Sequence, residues 1–357
     1  MDSSLNIFVN KLLTTAAKRQ ASTIHLTVSS YPTLRIAEEL VELNEEAIVT
    51  GELVKKLSEA WLDETQLKEL EEKRQLIIVK ELAKQLRVRI SFFYQKGFLS
   101  CALQLIPNHI TPLTTLGLPK SVYGLTDKRS GLIIVAGPYG SGRTTTVAAM
   151  IDEINKSRKE NILVVEQPIE CLIANQQSIV EQREVGRDTN TFVDALRYAL
   201  DADVDVISIG LNNEPGVVPL VLEFANSGRL AILTMETNSS VHTIEEIVSA
   251  LPSNERTRAQ LMLSTSLQAI IVQRLAQKIG GGLVVAAEVL IANEAVRSLV
   301  ADGRTKQLTT IIQSSRAEGM ISLDQSLAQL VKAGEVLIDQ AVELSLDPDS
   351  FRAMAKA

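Results

Sequence analysis

The stretch Gly131-Leu-Ile-Ile-Val-Ala-Gly137-Pro-Tyr-Gly140-Ser-Gly142-Arg143-Thr144-Thr145 decides how this chain folds. Leu132 to Ala136 is apolar without alternation, the pattern of a strand buried on both faces of a parallel sheet. It runs into a glycine-rich turn and then into helix-forming sequence. Glycines let successive backbone N–H groups curl around phosphate oxygens, and a helix N-terminus adds partial positive charge. Gly137, Gly142 and Thr144 keep the G-x-x-x-x-G-K-[ST] spacing, but Arg143 stands at the lysine position. The candidate nucleotide-binding set is Gly137, Pro138, Tyr139, Gly140, Ser141, Gly142, Arg143, Thr144 and Thr145. The plainer alternative is a strand-to-helix turn without a ligand.

Downstream of the loop, Val147, Met150, Ile151 and Ile154 make the apolar stripe of a helix. Further strands are expected at Asn161 to Glu166, Asp205 to Gly210 and Leu230 to Met235, with a helix over Asp194 to Leu200. This alternation predicts an α/β domain with a parallel sheet covered on both faces. After Pro252 the periodicity predicts helices over 255–275 and 294–344, with one strand from Leu283 to Ala292 between them. The last dozen residues read as a loose tail.

Upstream, Leu5, Phe8, Val9, Leu12, Leu13 and Ala16 predict an amphipathic helix. Strands are expected at Ile24 to Val28 and Thr33 to Ile36, and two charged helices across 44–74, with Trp61 as a core anchor. Two further strands, Arg87 to Tyr94 and Phe98 to Ile106, join through Gln95-Lys96-Gly97. The expected organisation is an α+β domain over 1–106, a proline-containing linker over 107–119, a nucleotide-binding domain over 120–292, a helical region over 293–345 and a tail over 346–357.

The 357 residues carry a net charge of −7, which gives no general attraction to nucleic acid or anionic lipid. No apolar run is long enough to span a membrane, and the first residues lack a secretory pattern. Cys101 and Cys171 form no C-x-x-C, so neither a disulfide framework nor a zinc site is expected. The expectation is a cytoplasmic protein.

Ligands of parallel sheets lie at the carboxyl ends of the strands. The second strand delivers Glu166 and Glu170, carboxylates able to hold metal-bound water or orient an attacking water. The third ends Ile207-Ser-Ile-Gly210-Leu211, and a leucine can neither hold a Mg²⁺ shell nor polarise water. Asp203 and Asp205 sit at that strand's start, about 20 Å from the phosphates at roughly 3.3 Å per residue. Glu214, three residues beyond Leu211, is the candidate stand-in. The fourth strand delivers Thr234-Met235-Glu236-Thr237, read by default as a cap for the next helix. Glu236 would repel a triphosphate unless a cation intervenes.

The whole chain resembles the secretion and type IV pilus motor ATPases, nearest the PilT/PilU retraction branch. The resemblance rests on Ala21-Ser-Thr-Ile-His25-Leu26, Gln182-Arg183-Glu184-Val185-Gly186-Arg187-Asp188-Thr189, Phe192-x-x-Ala195-Leu196-Arg197, Ala295-Val-Arg-Ser-Leu-Val300 and Gly319-Met320-x-Ser322-Leu323-Asp324. It implies a RecA-like P-loop domain with a parallel sheet, preceded by a smaller PAS-like α+β domain and followed by a helical region. It also implies ATP or ADP with Mg²⁺, and a homo-hexamer or a mixed ring with an active motor paralogue. That ring would work at a pilus inner-membrane platform protein, peripheral to the inner membrane. Arg87 and Arg89 match arginines that the family's N-terminal domain presents to the nucleotide, while Gln104 replaces a third.

The departures fall where chemistry is expected. Arg143 replaces the Walker A lysine, Gln167 the aspartate of the acidic box, and Leu211 the Walker B glutamate. Arg229 and Glu236 replace the two histidines of the histidine box, while Glu166, Glu170 and Thr144 are kept. The leading expectation is a nucleotide-binding subunit with impaired hydrolysis. The alternative is an active hexameric ATPase powering pilus retraction, with Glu170 or Glu214 as the missing carboxylate. A third reading keeps the fold with another ligand or none, and would be favoured by Tyr139 filling the loop.

Overall fold

The computed structural model describes residues 3–19, 21–36, 39–82, 86–106 and 109–356. Two compact units divide at 109/110. Pro107 and Asn108, the first residues of the expected linker, lie outside the described residues, as does Ala357 of the expected tail.

The first unit contains α1 (Ser3–Lys18), β1 (Thr23–Leu26), β2 (Thr33–Ile36), β3 (Glu39–Glu42), α2 (Gly51–Trp61), α3 (Glu64–Lys73), β4 (Gln75–Leu82), β5 (Leu86–Gln95) and β6 (Phe98–Ile106). Its six strands form a sheet in the order β3-β2-β1-β6-β5-β4, every pair of it antiparallel. Alternation decides its faces: Val88, Ile90 and Phe92 are buried, whereas Arg87 and Arg89, on the other face, are half-buried. Trp61 is buried with its ring 6.3 Å from that of Phe92. Lys96 and Gly97, at φ of 51° and 83°, make the two-residue β5–β6 turn, whose left-handed conformation matches strand twist. Asp63 and Gln66 close a reciprocal capping box at α3.

The second unit contains α4 (Lys120–Tyr123), β7 (Gly131–Ala136), α5 (Arg143–Ser157), β8 (Asn161–Glu166), β9 (Ile179–Glu184), α6 (Phe192–Asp201), β10 (Val206–Ile209), α7 (Val217–Asn226), β11 (Leu230–Met235), α8 (Ser240–Ser249), α9 (Arg256–Ser266), β12 (Leu267–Gln277), β13 (Leu283–Ile291), α10 (Glu294–Ala301), α11 (Leu308–Ser314), α12 (Leu323–Lys332), α13 (Ile338–Leu344) and α14 (Pro348–Lys356). The seven strands run β13-β12-β7-β11-β10-β8-β9, parallel except for the β12–β13 pair. Successive β7 side chains serve opposite cores. Ile133 and Val135 pack in the cluster of Val147, Met150 and Ile154 from α5, while Leu132, Ile134 and Ala136 join the cluster of Leu196, Phe224 and Leu263.

Three expectations need correction. The helix expected over 255–275 ends at Ser266, and Leu267–Gln277 is a strand between β7 and β13. The run Leu267-Gln-Ala-Ile-Ile-Val carries no period that separates buried strand from buried helix; its β-branched residues favour the strand. The 346–357 stretch, read as loose, contains α14, because Phe351 is fully buried against the cluster of Leu323, Leu327 and Ala341. The composition-based linker also contributes to a core, since Leu113 and Leu118 are buried beside Val122.

Candidate functional site

Four parallel strands, β7, β11, β10 and β8, end along one edge of the sheet in matched register, with Met235 opposite Ala136 and Ile209 opposite Val165. Parallel pairing is what collects the strand-end residues there. The β7 end opens into the glycine-rich loop, in which Gly137, Gly140 and Gly142 have φ of 151°, 78° and 84°. A Cβ on Gly137 would stand 2.4 Å from both the Gln273 carbonyl oxygen and Ser141 Oγ, so only glycine lets the loop lie against β12. The Gln273 side chain, fully buried, donates from Nε2 to the Ser141 carbonyl at 2.7 Å. Sequence reading missed Gln273 because it fell within the stretch assigned to helix. Ser141 Oγ is buried with no hydrogen-bond partner among the described residues.

Thr144 and Thr145 are exposed in the first turn of α5. Tyr139 is 81% exposed, so its ring stands away from the loop rather than filling it. The loop therefore fits a phosphate group, by its positive-φ glycines, the helix N-terminus and the exposed Thr144 hydroxyl. Its cation is differently engaged. Arg143 is buried, donates from Nη1 to the Met235 carbonyl at 2.8 Å, and lies 3.4 Å from Glu236 Oε2 through Nη2. Glu236 is thus an ion-pair partner of the loop arginine. The helix-capping role expected of the 234–237 cluster falls to Ser239, whose side chain accepts from the His242 N–H at the start of α8.

At the end of β10 the Gly210 N–H donates to the Val165 carbonyl at 2.8 Å, and a Cβ on Gly210 would lie 3.3 Å from Glu166 Cγ. Glu166 and Leu211 therefore emerge from neighbouring strands, with Leu211 40% exposed. Glu214 turns the other way: its carboxylate accepts from the Phe192 and Val193 N–H groups at 2.9 and 3.3 Å, at the start of α6. Glu170 is half-buried in the β8–β9 connection, which β9 pins in place. Glu184 Oε2 accepts from the Ile169 N–H, and Gln182 bonds the Ile173 N–H and the Cys171 carbonyl. The Gln182–Thr189 motif thus holds the loop that carries Glu170.

The opposite edge is scaffold. Asp205 Oδ2 accepts from the Asn161 N–H at 2.9 Å, at the start of its strand. Arg229 donates to the Ala199 and Leu200 carbonyls at the end of α6 and stacks 4.1 Å over Phe224. A cation at a helix C-terminus is favoured by the helix dipole, so this arginine serves α6. Arg87 and Arg89 lie in the first unit on β5, where Arg89 pairs with Gln104 across β6.

A glycine-rich loop between a buried strand and a helix, in an α/β sheet that gathers its strand ends on one edge, defines a phosphate-binding-loop protein. The chain belongs to the Type II/IV secretion system protein family, whose model matches residues 1–287. It is 34% identical to the type IV pilus retraction ATPase PilT of Pseudomonas aeruginosa over 343 residues, covering 96% of this chain and 99% of that protein. With the type IV pilus ATPase PilU of the same organism it shares 33% identity over 271 residues, 76% and 71% of the two chains. A crystal structure of the pilus retraction motor PilT with bound ADP superposes with a TM-score of 0.84 at 38% identity, over 96% of this chain and 98% of that one. The fold is the PilT-like α/β fold, in the PilT/PilU branch. Among the described residues no helix is long and apolar enough to cross a membrane.

Proposed function

We propose that this chain is a PilT/PilU-like subunit of a type IV pilus or secretion motor that binds ATP or ADP through residues 137–145 and hydrolyses ATP poorly. One observation carries the reading. The end of β10 bears Leu211, and the next carboxylate along the chain, Glu214, is tied to two α6 amides. Bound Mg²⁺ would supply positive charge at the phosphate oxygens, and Thr144 is the hydroxyl placed to hold it. The loop amides bind and orient phosphate, while Glu166 and Glu170 are the carboxylates at the adjoining strand end. The PilT relative with bound ADP supports nucleotide as the ligand. The subunit would act in a homo-hexamer or in a mixed ring with an active paralogue. Such a ring would be cytoplasmic and peripheral to the inner membrane, at a pilus platform protein.

The second reading is a working retraction ATPase in which Glu170 supplies the missing carboxylate. Glu166 packing beside Gly210 favours it, because it sets a carboxylate-bearing strand end next to that of β10.

Purified protein is expected to show no ATP turnover above a Thr144→Ala control. Joint Arg143→Lys and Leu211→Glu substitution should raise turnover by about 100-fold, the scale of one transition-state group. Robust turnover by the unaltered protein, abolished by Glu170→Gln, would establish the second reading.

A further inference from the structure

The Arg143–Glu236 pair joins the first residue of α5 to the residue that follows β11. A guanidinium at the first turn of a helix faces the positive end of the helix dipole, an unfavourable place for a cation. It is stabilised here by two acceptors, the Met235 carbonyl at 2.8 Å and Glu236 Oε2 at 3.4 Å, both beyond β11. The Glu236 side chain is 51% exposed while that of Arg143 is 8% exposed, so the latch joins a buried arginine to a glutamate still open to solvent.

We infer that Glu236 is a positioning residue that latches Arg143 onto the β11 end and so sets how strongly the loop holds phosphate. The inference rests on the nucleotide-binding reading above and names its internal competitor. In the latched state the two charges offset one another, and an incoming phosphate meets the loop amides while the Arg143 guanidinium is engaged elsewhere. To recruit the guanidinium, the phosphate must displace a carboxylate of its own charge. The latch therefore weakens binding most for ligands with the most phosphate charge.

The test is titration of AMP, ADP and ATP into the full-length protein and its Glu236→Gln, Arg143→Ala and doubly substituted variants. Melting curves without nucleotide verify that each is folded. Glu236→Gln is expected to bind ADP about tenfold more tightly, the scale of one hydrogen bond to a charged group, with a larger gain for ATP and little for AMP. In the Arg143→Ala background the same substitution should bring only a small gain, that of relieving the carboxylate's own repulsion of phosphate. A local structural role for Glu236 would not produce this dependence on phosphate number.

If the parent binds ADP and Glu236→Gln binds it equally or less well, the latch is wrong and nucleotide binding stands. An equal gain without Arg143 would also overturn the latch, by showing that only a repelling charge had been removed. Binding by Glu236→Gln but not by the parent would support it in its strongest form. If neither the parent nor any variant binds a nucleotide, the nucleotide reading itself fails.

Discussion

The ends of β7 and β10 lie in one sheet with only β11 between them, yet they depart differently from the family pattern. Beyond β7 the loop keeps the backbone that a phosphate needs: glycines at positive φ, a helix N-terminus and the Thr144 hydroxyl. Beyond β10 the backbone course is kept, since Gly210 still bonds the Val165 carbonyl, but the side chain that follows is aliphatic and 40% exposed. The first arrangement is bound up with packing, whereas an exposed terminal side chain can change with little cost to folding. Architecture and reactivity thus rest on different atoms along the same edge.

The most forceful way to break this comparison is to damage the intact side. Gly137→Ala would place a methyl 2.4 Å from the Gln273 backbone oxygen, at a φ of 151° that L-residues rarely adopt. Backbone strain of this kind costs about 1–3 kcal/mol, and relief requires the loop to leave β12. ADP binding should fall by roughly 100-fold or more, since each 1.4 kcal/mol is about tenfold. A fluorescent-nucleotide titration measures it, and unchanged affinity would show that the loop is not the ligand's seat.

A smaller effect sharpens the β10 side. Glu214→Ala removes the acceptor for two N–H groups at the start of α6, while Thr191 still caps Asp194. Stability should drop by about 1 kcal/mol, the usual worth of a cap, with affinity and any ATP turnover unaltered. Denaturant unfolding run in parallel with a turnover assay separates the two roles. Loss of turnover at unchanged stability would return Glu214 to the chemistry.

Much of this edge was legible because strand ends and glycine spacing are local signals. The run Leu132–Ala136, the loop after it and the absence of an acid at Leu211 could all be read from neighbours in sequence. Partners from distant segments could not. Arg143 and Glu236 are 93 residues apart, and Gln273 lies 132 residues from the loop it secures. Their pairing follows from β11 and β12 flanking β7, and the β12 segment reads from sequence as helix because its apolar run carries no period that marks a strand. Phe351 shows the same limit at the C-terminus, where one buried ring orders a segment whose composition reads as loose.

The subtlest prediction contrasts two carboxylates near the start of α8. Glu236 is half-exposed and paired with Arg143, whereas Glu288 on β13 is buried and accepts from the Ser240 N–H at 2.7 Å. Burial, with a smaller contribution from the Asp324 charge, pushes the Glu288 carboxyl above its ordinary value of 4.5, although hydrogen bonds from Ser240 and Leu323 pull the other way. Arg274 also faces the pair, its own charge disfavoured by burial. A carboxyl whose folded pKa is raised holds its proton more tightly in the native state. Its contribution to stability is therefore full below the unfolded value and declines as pH rises through the folded one. Glu288→Gln keeps an acceptor for Ser240 but cannot ionise, so it should flatten this decline as pH rises above about 4.5. Urea unfolding across that range reads the slope for parent and variant. Parallel slopes would mean that solvent reaches Glu288 and that the scaffold carboxylate is no more buried in effect than the one at the site.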